Sequence, residues 1–389
     1  MVAVVADDLT GAAELGGIGL RHGLTVEIGM EAPASSSADL LIIAANTRSL
    51  DEPSAVAAIA GITGQLAALK PEWIYKKTDS VLRGHVVAEL NAQLNVLGLE
   101  RALLVPANPA LGRTIKDGHY FLQGKPVHQS AFALDPEFSI RSSSIKDMLH
   151  TDLPVMVRKH REGVGKARIT VGEVSDRDDL RSWAALTVGG ILPAGAAGFF
   201  TELLEARRAG GTPAATGKAD AGPAEAERTP AGYPALFVSG TTFGRNREII
   251  RTISDAGGPV IYMDAGSTDN GDAHLDSIIN YLLDQGKAIL AIEGTSSAQP
   301  GEAARQLRER MAALTGRILA AVDVEELVIE GGATAYAILE QAGLRHFFPK
   351  EELAPGVIRM AVAGKEGLHV TVKPGSYEWP ETLQHQLEN

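Results

Sequence analysis

Short apolar runs recur along the chain at the length of a β-strand, and helix-like stretches separate most of them. A short apolar run bounded by turn-forming residues is typical of a buried strand, whereas a longer amphipathic stretch is typical of a helix. Alternation of the two predicts parallel sheets covered by helices on both faces. The predicted strands are 2–6, 40–45, 102–106, 236–239, 260–263, 288–292, 327–329 and 368–372, and the predicted helices include 54–69, 86–97, 302–317 and 334–342.

One segment separates two such α/β units. Residues 209–232 contain no large apolar side chain and are dense in Gly, Ala, Pro and Thr, so they cannot contribute to a hydrophobic core. We therefore expect an N-terminal domain over 1–208, a flexible linker over 209–232 and a C-terminal domain over 233–389. A chain of 389 residues is long enough for each domain to bury its own core.

Composition and charge exclude several classes of protein. No apolar stretch reaches the ~18 residues that a membrane span needs, and no basic segment precedes the first apolar run, so we expect neither a membrane helix nor a secretory signal. The chain has no cysteine, which excludes disulfides, cysteine nucleophiles and thiolate metal sites and fits a cytoplasmic protein. A net charge of −12 argues against binding to nucleic acid or to a membrane surface.

Two adjacent carboxylates, Asp7 and Asp8, follow the first predicted strand in the sequence DDLTG. Ligands of open α/β sheets bind outside the carboxyl ends of the strands, and neighbouring carboxylates there cost solvation and self-repulsion. Both residues are therefore candidates for ligand binding or catalysis. The alternative is that Asp8 or Thr10 is simply the N-cap of the next helix, and the motif alone favours neither interpretation.

Cationic side chains of this acidic protein are concentrated in a few segments. The sequence YKKTDSVLRG at 75–84 places Lys76, Lys77 and Arg83 close to Asp79 and Ser80. Lysine and arginine suit carboxylates and phosphates, and a carboxylate there can accept hydrogen bonds from sugar hydroxyls or take a proton from one. The alternative is a solvated loop with an internal Asp–Arg pair, which would contribute little.

Two further arginines follow predicted strands. Arg48 comes after the strand at 40–45 and is a candidate clamp for a carboxylate, although an ordinary surface arginine is the simpler interpretation. Arg113 lies in a loop after the strand at 102–106 that Pro and Gly residues mark as structured. Both arginines therefore lie near the carboxyl ends of strands, where a ligand of an α/β sheet is expected.

Glycine-containing turns follow three strands in the C-terminal half. Such turns let backbone N–H groups face a phosphate at a helix N-terminus. Each turn is a weak signal, because many βα turns bind nothing, but three on one edge of a sheet predict an anion or nucleotide site. The candidate residues are Ser239, Gly240, Gly331, Gly332, Ala333, Thr334, Lys373 and Gly375.

The order of these motifs resembles one family. ADDLTGA at 6–12, NTRSL at 46–50, YKKTDSVLRG at 75–84, PANPALGRT at 106–114, DGHY at 117–120 and DP at 135–136 together resemble the four-carbon acid sugar kinases. The resemblance continues through SSSI at 142–145, AGAAGF at 194–199, SG at 239–240, GGATA at 331–335 and the turn at 373–375. The chain departs from the family where Ala333 replaces a usual Glu and Pro374 a usual Ser.

The resemblance implies a function for each domain. It implies ATP-dependent phosphorylation of the terminal hydroxyl of a small sugar acid, such as threonate, erythronate or 3-oxo-tetronate. The N-terminal domain would bind the sugar acid, the C-terminal domain would bind ATP with Mg²⁺ bridging its phosphates, and the active site would lie in the cleft between them. No metal ligand from the protein is expected, and a homodimer is typical of the family.

The expected roles follow from matching the family motifs to this chain. Asp8 is the favoured catalytic carboxylate, and Asp79 is the other candidate. The substrate is expected to contact Asp7, Asp8, Arg48, Lys76, Lys77, Asp79, Ser80, Arg83 and Arg113. The departures in the C-terminal turns leave open a non-catalytic sugar-acid-binding protein with a degenerate nucleotide site. A kinase of a different small hydroxy acid is the other alternative.

Overall fold

The computed structural model describes residues 1–134, 138–209, 233–241, 244–264, 272–293, 301–375 and 377–388. It divides into two α/β units, Met1–Ala219 and Asp220–Asn389, and thereby confirms the predicted fold class. The predicted linker lies outside the described residues except for Ala209, which ends a helix. The DP motif at 135–136 also lies outside them.

The first unit is built on a parallel sheet. Its strands are β1 (Val2–Ala6), β2 (Val26–Gly29), β3 (Leu40–Ala44), β4 (Trp73–Lys77), β5 (Arg101–Val105), β6 (Arg113–Lys116), β7 (His119–Leu122), β8 (Lys125–Pro126), β9 (Val155–Arg158), β10 (Ile169–Gly172) and β11 (Ile191–Gly195). Among the described residues, eight of these form one sheet in the order β2-β3-β1-β4-β11-β5-β10-β9, with every pairing parallel. The short strands β6, β7 and β8 form a separate antiparallel sheet.

Helices cover both faces of the first sheet. They are α1 (Leu9–Arg21), α2 (Glu52–Ala68), α3 (Val86–Leu97), α4 (Ile145–Met148), α5 (Arg177–Leu186) and α6 (Ala197–Ala209). On one face, Val5 and Ile43 of the sheet share a hydrophobic core with Ile59 of α2 and Ala92 of α3. On the other face, the ring of Tyr75 contacts Phe200 of α6, with centroids 5.0 Å apart. Burial on both sides explains why β1 and β3 are apolar throughout.

The register of the first sheet aligns the ends of three strands. Ala6 of β1 is level with Ala44 of β3 and with Lys77 of β4. The segments that follow these strands therefore begin at the same edge, and that edge carries the candidate residues of the first unit.

The second unit has a mixed sheet. Its strands are β12 (Ala235–Ser239), β13 (Val260–Met263), β14 (Lys287–Ile292), β15 (Glu326–Glu330), β16 (His346–Ala354), β17 (Val357–Val362) and β18 (Lys365–Lys373). The order is β13-β14-β12-β15-β18-β17-β16, parallel as far as β18 and antiparallel beyond it. Its helices are α7 (Gly244–Asp255), α8 (Asp272–Gln285), α9 (Gly301–Ala321), α10 (Gly332–Gln341) and α11 (Glu381–Glu388).

Strand ends are also aligned in the second sheet. Glu330, the last residue of β15, is level with Ser239 of β12 and with Lys373 of β18. The three predicted glycine turns therefore start from neighbouring positions at one edge, as the sequence predicted. Among the described residues, no helix combines the length and the hydropathy needed to cross a membrane.

Candidate functional site

Arg48 joins the two carboxylates that follow β1. Its Nε and Nη2 donate to Oδ2 of Asp7 at 2.9 and 2.8 Å, and its Nη1 lies 3.0 Å from Oδ2 of Asp8. The guanidinium thereby offsets the repulsion between the adjacent carboxylates. Asp7 is buried, whereas the side chain of Asp8 remains 14% exposed. Arg48 is thus held by the protein's own carboxylates, and its role as a clamp for a substrate carboxylate stays a prediction.

Asp8 is at once the N-cap of α1 and a member of this cluster. Its Oδ1 accepts from the N–H of Gly11 at 2.8 Å, and its Oδ2 accepts from the hydroxyl of Thr10 at 2.6 Å. A Cβ at Gly11 would lie 2.7 Å from Oδ1 of Asp8, so glycine is needed for this close approach. The two interpretations of the motif are therefore compatible, because the cap fixes the carboxylate at the edge of the sheet.

The two carboxyl groups differ in their pKa. Burial would raise the pKa of Asp8, but the charges of Arg48 and Lys77 outweigh it, and the pKa lies below its ordinary value. For Asp7 burial prevails over Arg48, and the pKa is raised. Oδ1 of Asp7 is buried with no hydrogen-bond partner among the described residues. At neutral pH, Asp8 is therefore an ionised acceptor that is partly accessible.

Asp79 is held by Arg83 in a buried pair. Its Oδ2 accepts from the N–H groups of Val81 and Arg83, both at 3.1 Å, and its Oδ1 accepts from Nη2 of Arg83 at 2.7 Å. Nη2 of Arg48 lies 3.6 Å away. Burial would raise the pKa of Asp79, but Arg83 and Arg48 hold it well below its ordinary value. Asp79 belongs to the same charged cluster as Asp7 and Asp8, and its ion pair with Arg83 is not a solvated surface pair.

Arg113 and Ser80 extend the cluster. Nη1 of Arg113 donates to Oγ of Ser80 at 2.8 Å, and the hydroxyl of Tyr120 donates to the carbonyl of Ser80 at 2.7 Å. The guanidinium carbons of Arg83 and Arg113 lie 5.4 and 5.9 Å from the ring centroid of Phe132. Within the described ranges Arg113 forms no ion pair, and its Nε is buried without a partner. Of the three arginines of the cluster, it is the one that pairs with no carboxylate of the described residues.

The two lysines of β4 do not lie together. Nζ of Lys77 lies 3.6 Å from Oε2 of Glu14 in α1, close to Asp8. Nζ of Lys76 is fully buried and lies 2.7 Å from Oε2 of Glu89 in α3. Both lysines belong to β4, which ends at Lys77, and successive side chains of a strand point to opposite faces of the sheet. The structure therefore does not place Lys76 in the predicted substrate cluster.

In the second unit, Glu330 joins the candidate turns. Its side chain is fully buried. Its Oε2 accepts from the hydroxyl of Ser239 at 2.6 Å, and its Oε1 accepts from Nζ of Lys373 at 2.6 Å and from the amide of Asn246. Sequence reasoning missed Glu330 and Asn246. The available signal was a single carboxylate at the end of an apolar strand, directly before the two glycines.

The turn at 331–334 has the geometry of an anion site. Gly331 is the N-cap of α10 with a φ of +101°, and it offers no side chain to the first N–H groups of the helix. A Cβ at Gly240 would lie 2.0 Å from Oγ1 of Thr334, so only glycine fits between these two turns. Free N–H groups and the helix dipole favour an anion at this position.

Lys373 supports the third turn from within the protein. Nζ donates to the carbonyl of Pro374 at 3.1 Å as well as to Glu330, and it lies 5.0 Å from the ring centroid of Trp379. Burial lowers the pKa of Lys373 and raises that of Glu330 despite their mutual attraction. The ammonium is fully buried, so the structure does not present it to a ligand as the sequence predicted.

Two family models match most of the chain. A sugar-binding N-terminal domain matches residues 2–203, and a nucleotide-binding C-terminal domain matches residues 252–377. The chain belongs to the four-carbon acid sugar kinase family. The Asp7–Asp8–Arg48–Asp79 cluster lies in the sugar-binding domain, and the turns at 331–334 and 373–375 lie in the nucleotide-binding domain.

Relatives in the four-carbon acid sugar kinase family match in part or along the whole chain. A D-threonate kinase of Salmonella typhimurium is 32% identical, over 39% of this chain and 37% of the relative. A D-threonate kinase of Cupriavidus necator is 27% identical over 98% of this chain and 96% of the relative. A 3-oxo-tetronate kinase of Brucella melitensis is 26% identical over 97% of this chain and 92% of the relative. The solved structure of a Salmonella typhimurium protein, 17% identical, has the same fold over 100% of this chain and 99% of that chain, with a TM-score of 0.76.

Proposed function

We propose that this protein is an ATP-dependent kinase that phosphorylates the terminal hydroxyl of a four-carbon sugar acid. The observation that carries the proposal is the cluster of carboxylates around Arg48, placed at the carboxyl edge of the first sheet. Carboxylates of this kind accept hydrogen bonds from hydroxyl groups. The names of relatives matched along nearly their whole length support threonate or 3-oxo-tetronate as substrates, and the name of a relative matched over 35% of its length supports erythronate.

Cationic side chains beside Asp8 and Asp79 are the candidates to bind the carboxylate of the sugar acid. Arg113 has donors that no described residue occupies, and it is oriented by Ser80 and Phe132. Nζ of Lys77 lies close to Asp8, 3.6 Å from Oε2 of Glu14, and donates to the carbonyl of Thr78 at 3.1 Å. Arg48 and Arg83 already pair with Asp7, Asp8 and Asp79. We therefore assign the substrate carboxylate to Arg113 and Lys77, and the hydroxyl groups to Asp8 and Asp79.

Asp8 is the group that would orient the attacking hydroxyl. Phosphoryl transfer needs little covalent chemistry from the protein, so an enzyme acts mainly by positioning and by electrostatic stabilisation. Asp8 is ionised, fixed by its capping bonds and more exposed than Asp7 or Asp79. A carboxylate with these properties can accept the hydroxyl hydrogen bond and direct the oxygen toward the phosphorus atom.

The phosphates of ATP would bind at the turns of the second unit. Gly331 leaves the N-terminus of α10 uncapped by any side chain, and Gly240 allows its turn to lie directly against Thr334. The backbone N–H groups of Gly332, Ala333 and Thr334 suit a phosphate. No three His, Asp or Glu side chains in the described part of the chain form a metal site, so we expect the ATP phosphates to supply the main ligands of Mg²⁺. An active site in a cleft between the units, a homodimer and a cytoplasmic location stay predictions.

A coupled assay of ADP release tests the proposal. The purified chain is incubated with Mg-ATP and a panel of three- to six-carbon sugar acids, which also identifies a kinase of another hydroxy acid. We expect turnover on one tetronate or a few. No turnover on any acid, together with no rise of the melting temperature with Mg-ATP, would contradict the kinase proposal. A melting temperature raised by a sugar acid alone would then favour the non-catalytic binding protein.

A further inference from the structure

We infer that Glu330 is a positioning residue for the nucleotide: its buried carboxylate fixes the three turns of the second unit relative to one another. The inference rests on the proposed function, because it takes these turns as the ATP site. Glu330 itself ends the strand that leads to Gly331. Its partners Ser239 and Lys373 end the strands that lead to Gly240 and Gly375.

The same turns are connected both by backbone hydrogen bonds and by hydrogen bonds between side chains. The N–H of Gly240 donates to the carbonyl of Glu330 at 3.1 Å, and the N–H of Gly331 donates to the carbonyl of Lys373 at 2.9 Å. The carboxylate of Glu330 adds a network of side-chain hydrogen bonds, to Ser239 and Lys373. Asn246 of α7 extends it, because its amide also donates to the carbonyls of Gly375 at 3.2 Å and Tyr377 at 3.0 Å. A shift of one turn would therefore break bonds to the other two.

A carboxylate is required at this position by the donors around it. Hydroxyl, ammonium and amide groups all donate toward the side chain of Glu330, and none of them accepts from it. An ionised carboxylate is the side chain that only accepts, with about four lone-pair sites. A glutamine would turn its own N–H groups toward one of these donors. It would also leave the buried ammonium of Lys373 without a counter-charge.

The role is positioning rather than contact with the ligand. Glu330 and Lys373 have no exposed surface, and Ser239 is buried. The polar groups of these side chains are directed at one another. The ligand would instead meet the backbone N–H groups of the turns, whose relative placement the buried network determines.

The same strand supplies a matched control. Glu326 lies four residues before Glu330, on β15, and is buried to the same extent. It accepts from Nε of Arg359 and from the hydroxyl of Thr371, both at 2.8 Å. Four strand residues span about 13 Å, which places this second ion pair at the opposite end of the strand from the turns. Both glutamates stabilise the sheet, but only Glu330 lies beneath the predicted nucleotide site.

The experiment compares the full-length chain with its Glu330→Gln and Glu326→Gln variants. Calorimetry gives the dissociation constant for Mg-ATP, steady-state kinetics give KM for ATP and for the sugar acid, and thermal unfolding gives the melting temperature. We expect both variants to melt earlier. Only Glu330→Gln should weaken Mg-ATP binding and raise KM for ATP, by about tenfold or more, with KM for the sugar acid unchanged.

A double variant separates positioning from stability. Glu330→Gln/Lys373→Met removes the unpaired buried ammonium, so it should recover the melting temperature but not the affinity for Mg-ATP, and it serves as the test if Glu330→Gln alone does not fold. The inference would be overturned if the double variant recovered both the melting temperature and the affinity for Mg-ATP. It would also be overturned if Glu330→Gln and Glu326→Gln lost affinity equally, or if Glu330→Gln bound Mg-ATP as tightly as the wild type. If calorimetry shows that the wild-type chain binds no Mg-ATP, the proposed nucleotide site is wrong, and the inference about Glu330 fails with it. Failure of the inference alone would instead appear as wild-type binding of Mg-ATP with no specific loss in Glu330→Gln.

Discussion

Lys76 and Lys77 are consecutive residues of β4, yet their ammonium groups lie on opposite faces of the sheet. Lys77 reaches Glu14 of α1 beside the Asp8 carboxylate, whereas Lys76 is fully buried against Glu89 of α3. The sequence places them side by side, but the strand separates them into a candidate substrate contact and a structural ion pair. Only Lys77 therefore remains in the proposed sugar-acid site.

Lys76→Met should reduce stability without changing substrate binding. Loss of the ammonium leaves the carboxylate of Glu89 buried and unpaired, which costs about 3 kcal/mol. Urea unfolding measures this loss, and the double variant Lys76→Met/Glu89→Gln should recover much of it. KM for the sugar acid should equal that of the wild type in both variants. A raised KM in the stable double variant would return Lys76 to the substrate site.

Asp8→Asn should abolish turnover while the helix α1 keeps its cap. Asparagine caps helices as well as aspartate does, so the bond to Gly11 can persist, but the charge that orients the hydroxyl is lost. We expect kcat to fall by about 100-fold or more, with Mg-ATP binding retained. Asp176→Asn is the control, because Asp176 caps α5 by the same bond, to the N–H of Asp179, outside the cluster. Loss of Mg-ATP binding in Asp8→Asn would remove Asp8 from the sugar site.

Arg113→Gln should weaken binding of the acid group of the substrate. A hydrogen bond to a charged group contributes about 1.5–3 kcal/mol, so KM for the sugar acid should rise by about 10- to 100-fold, with kcat less affected. The neutral polyol of the same length provides the control substrate, because its turnover should not distinguish the variant from the wild type. An equal loss with acid and polyol would show that Arg113 acts through Ser80 or Phe132 and not on the carboxylate.

The continuously apolar parallel strands could be predicted from the sequence, whereas the parallel strands β2, β9, β10 and β11 and the antiparallel strands β16 and β17 were not predicted. β1 and β3 are buried on both faces and therefore appear as continuous apolar runs. β16 has no such run, because it contains Pro349 and several charged residues, and its pairing with β17 is interrupted by irregularities. Hydrophobic periodicity carries no signal for a strand of this kind.

The site could be predicted where function follows from position after a strand, and not where it depends on distant partners. Asp7, Asp8 and Arg48 meet because β1 and β3 are adjacent and end level, which strand–helix alternation already indicates. Glu330 instead receives its bonds from Lys373 and Ser239, which are 43 and 91 positions away. No local pattern distinguishes such a carboxylate from an ordinary strand end.

Asp79→Asn should reduce stability in a pH-dependent way. Burial raises the pKa of Asp79, but Arg83 and Arg48 outweigh it and hold the pKa well below its ordinary value. The stabilisation is therefore complete above the unfolded pKa of about 4 and fades as the pH falls below it. We expect Asp79→Asn to cost about 3 kcal/mol in urea unfolding at neutral pH, and less at pH values under about 4. The control is Asp276→Asn, because Asp276 is exposed. The prediction would be contradicted if the loss of unfolding free energy in Asp79→Asn did not depend on pH, or if Asp276→Asn lost as much.

Gly240→Ala should disrupt nucleotide binding through steric conflict alone. The added Cβ would lie 2.0 Å from Oγ1 and 2.7 Å from Cβ of Thr334, so the turn or the start of α10 must move. Overpacking of this kind costs about 1–3 kcal/mol, and we expect it to weaken Mg-ATP binding by about tenfold or more in calorimetry. Gly61→Ala in α2, where the added Cβ meets nothing within 4 Å, should instead stabilise the protein by about 0.5–1 kcal/mol and leave the affinity unchanged. Wild-type affinity in Gly240→Ala would show that this turn does not contribute to the nucleotide site.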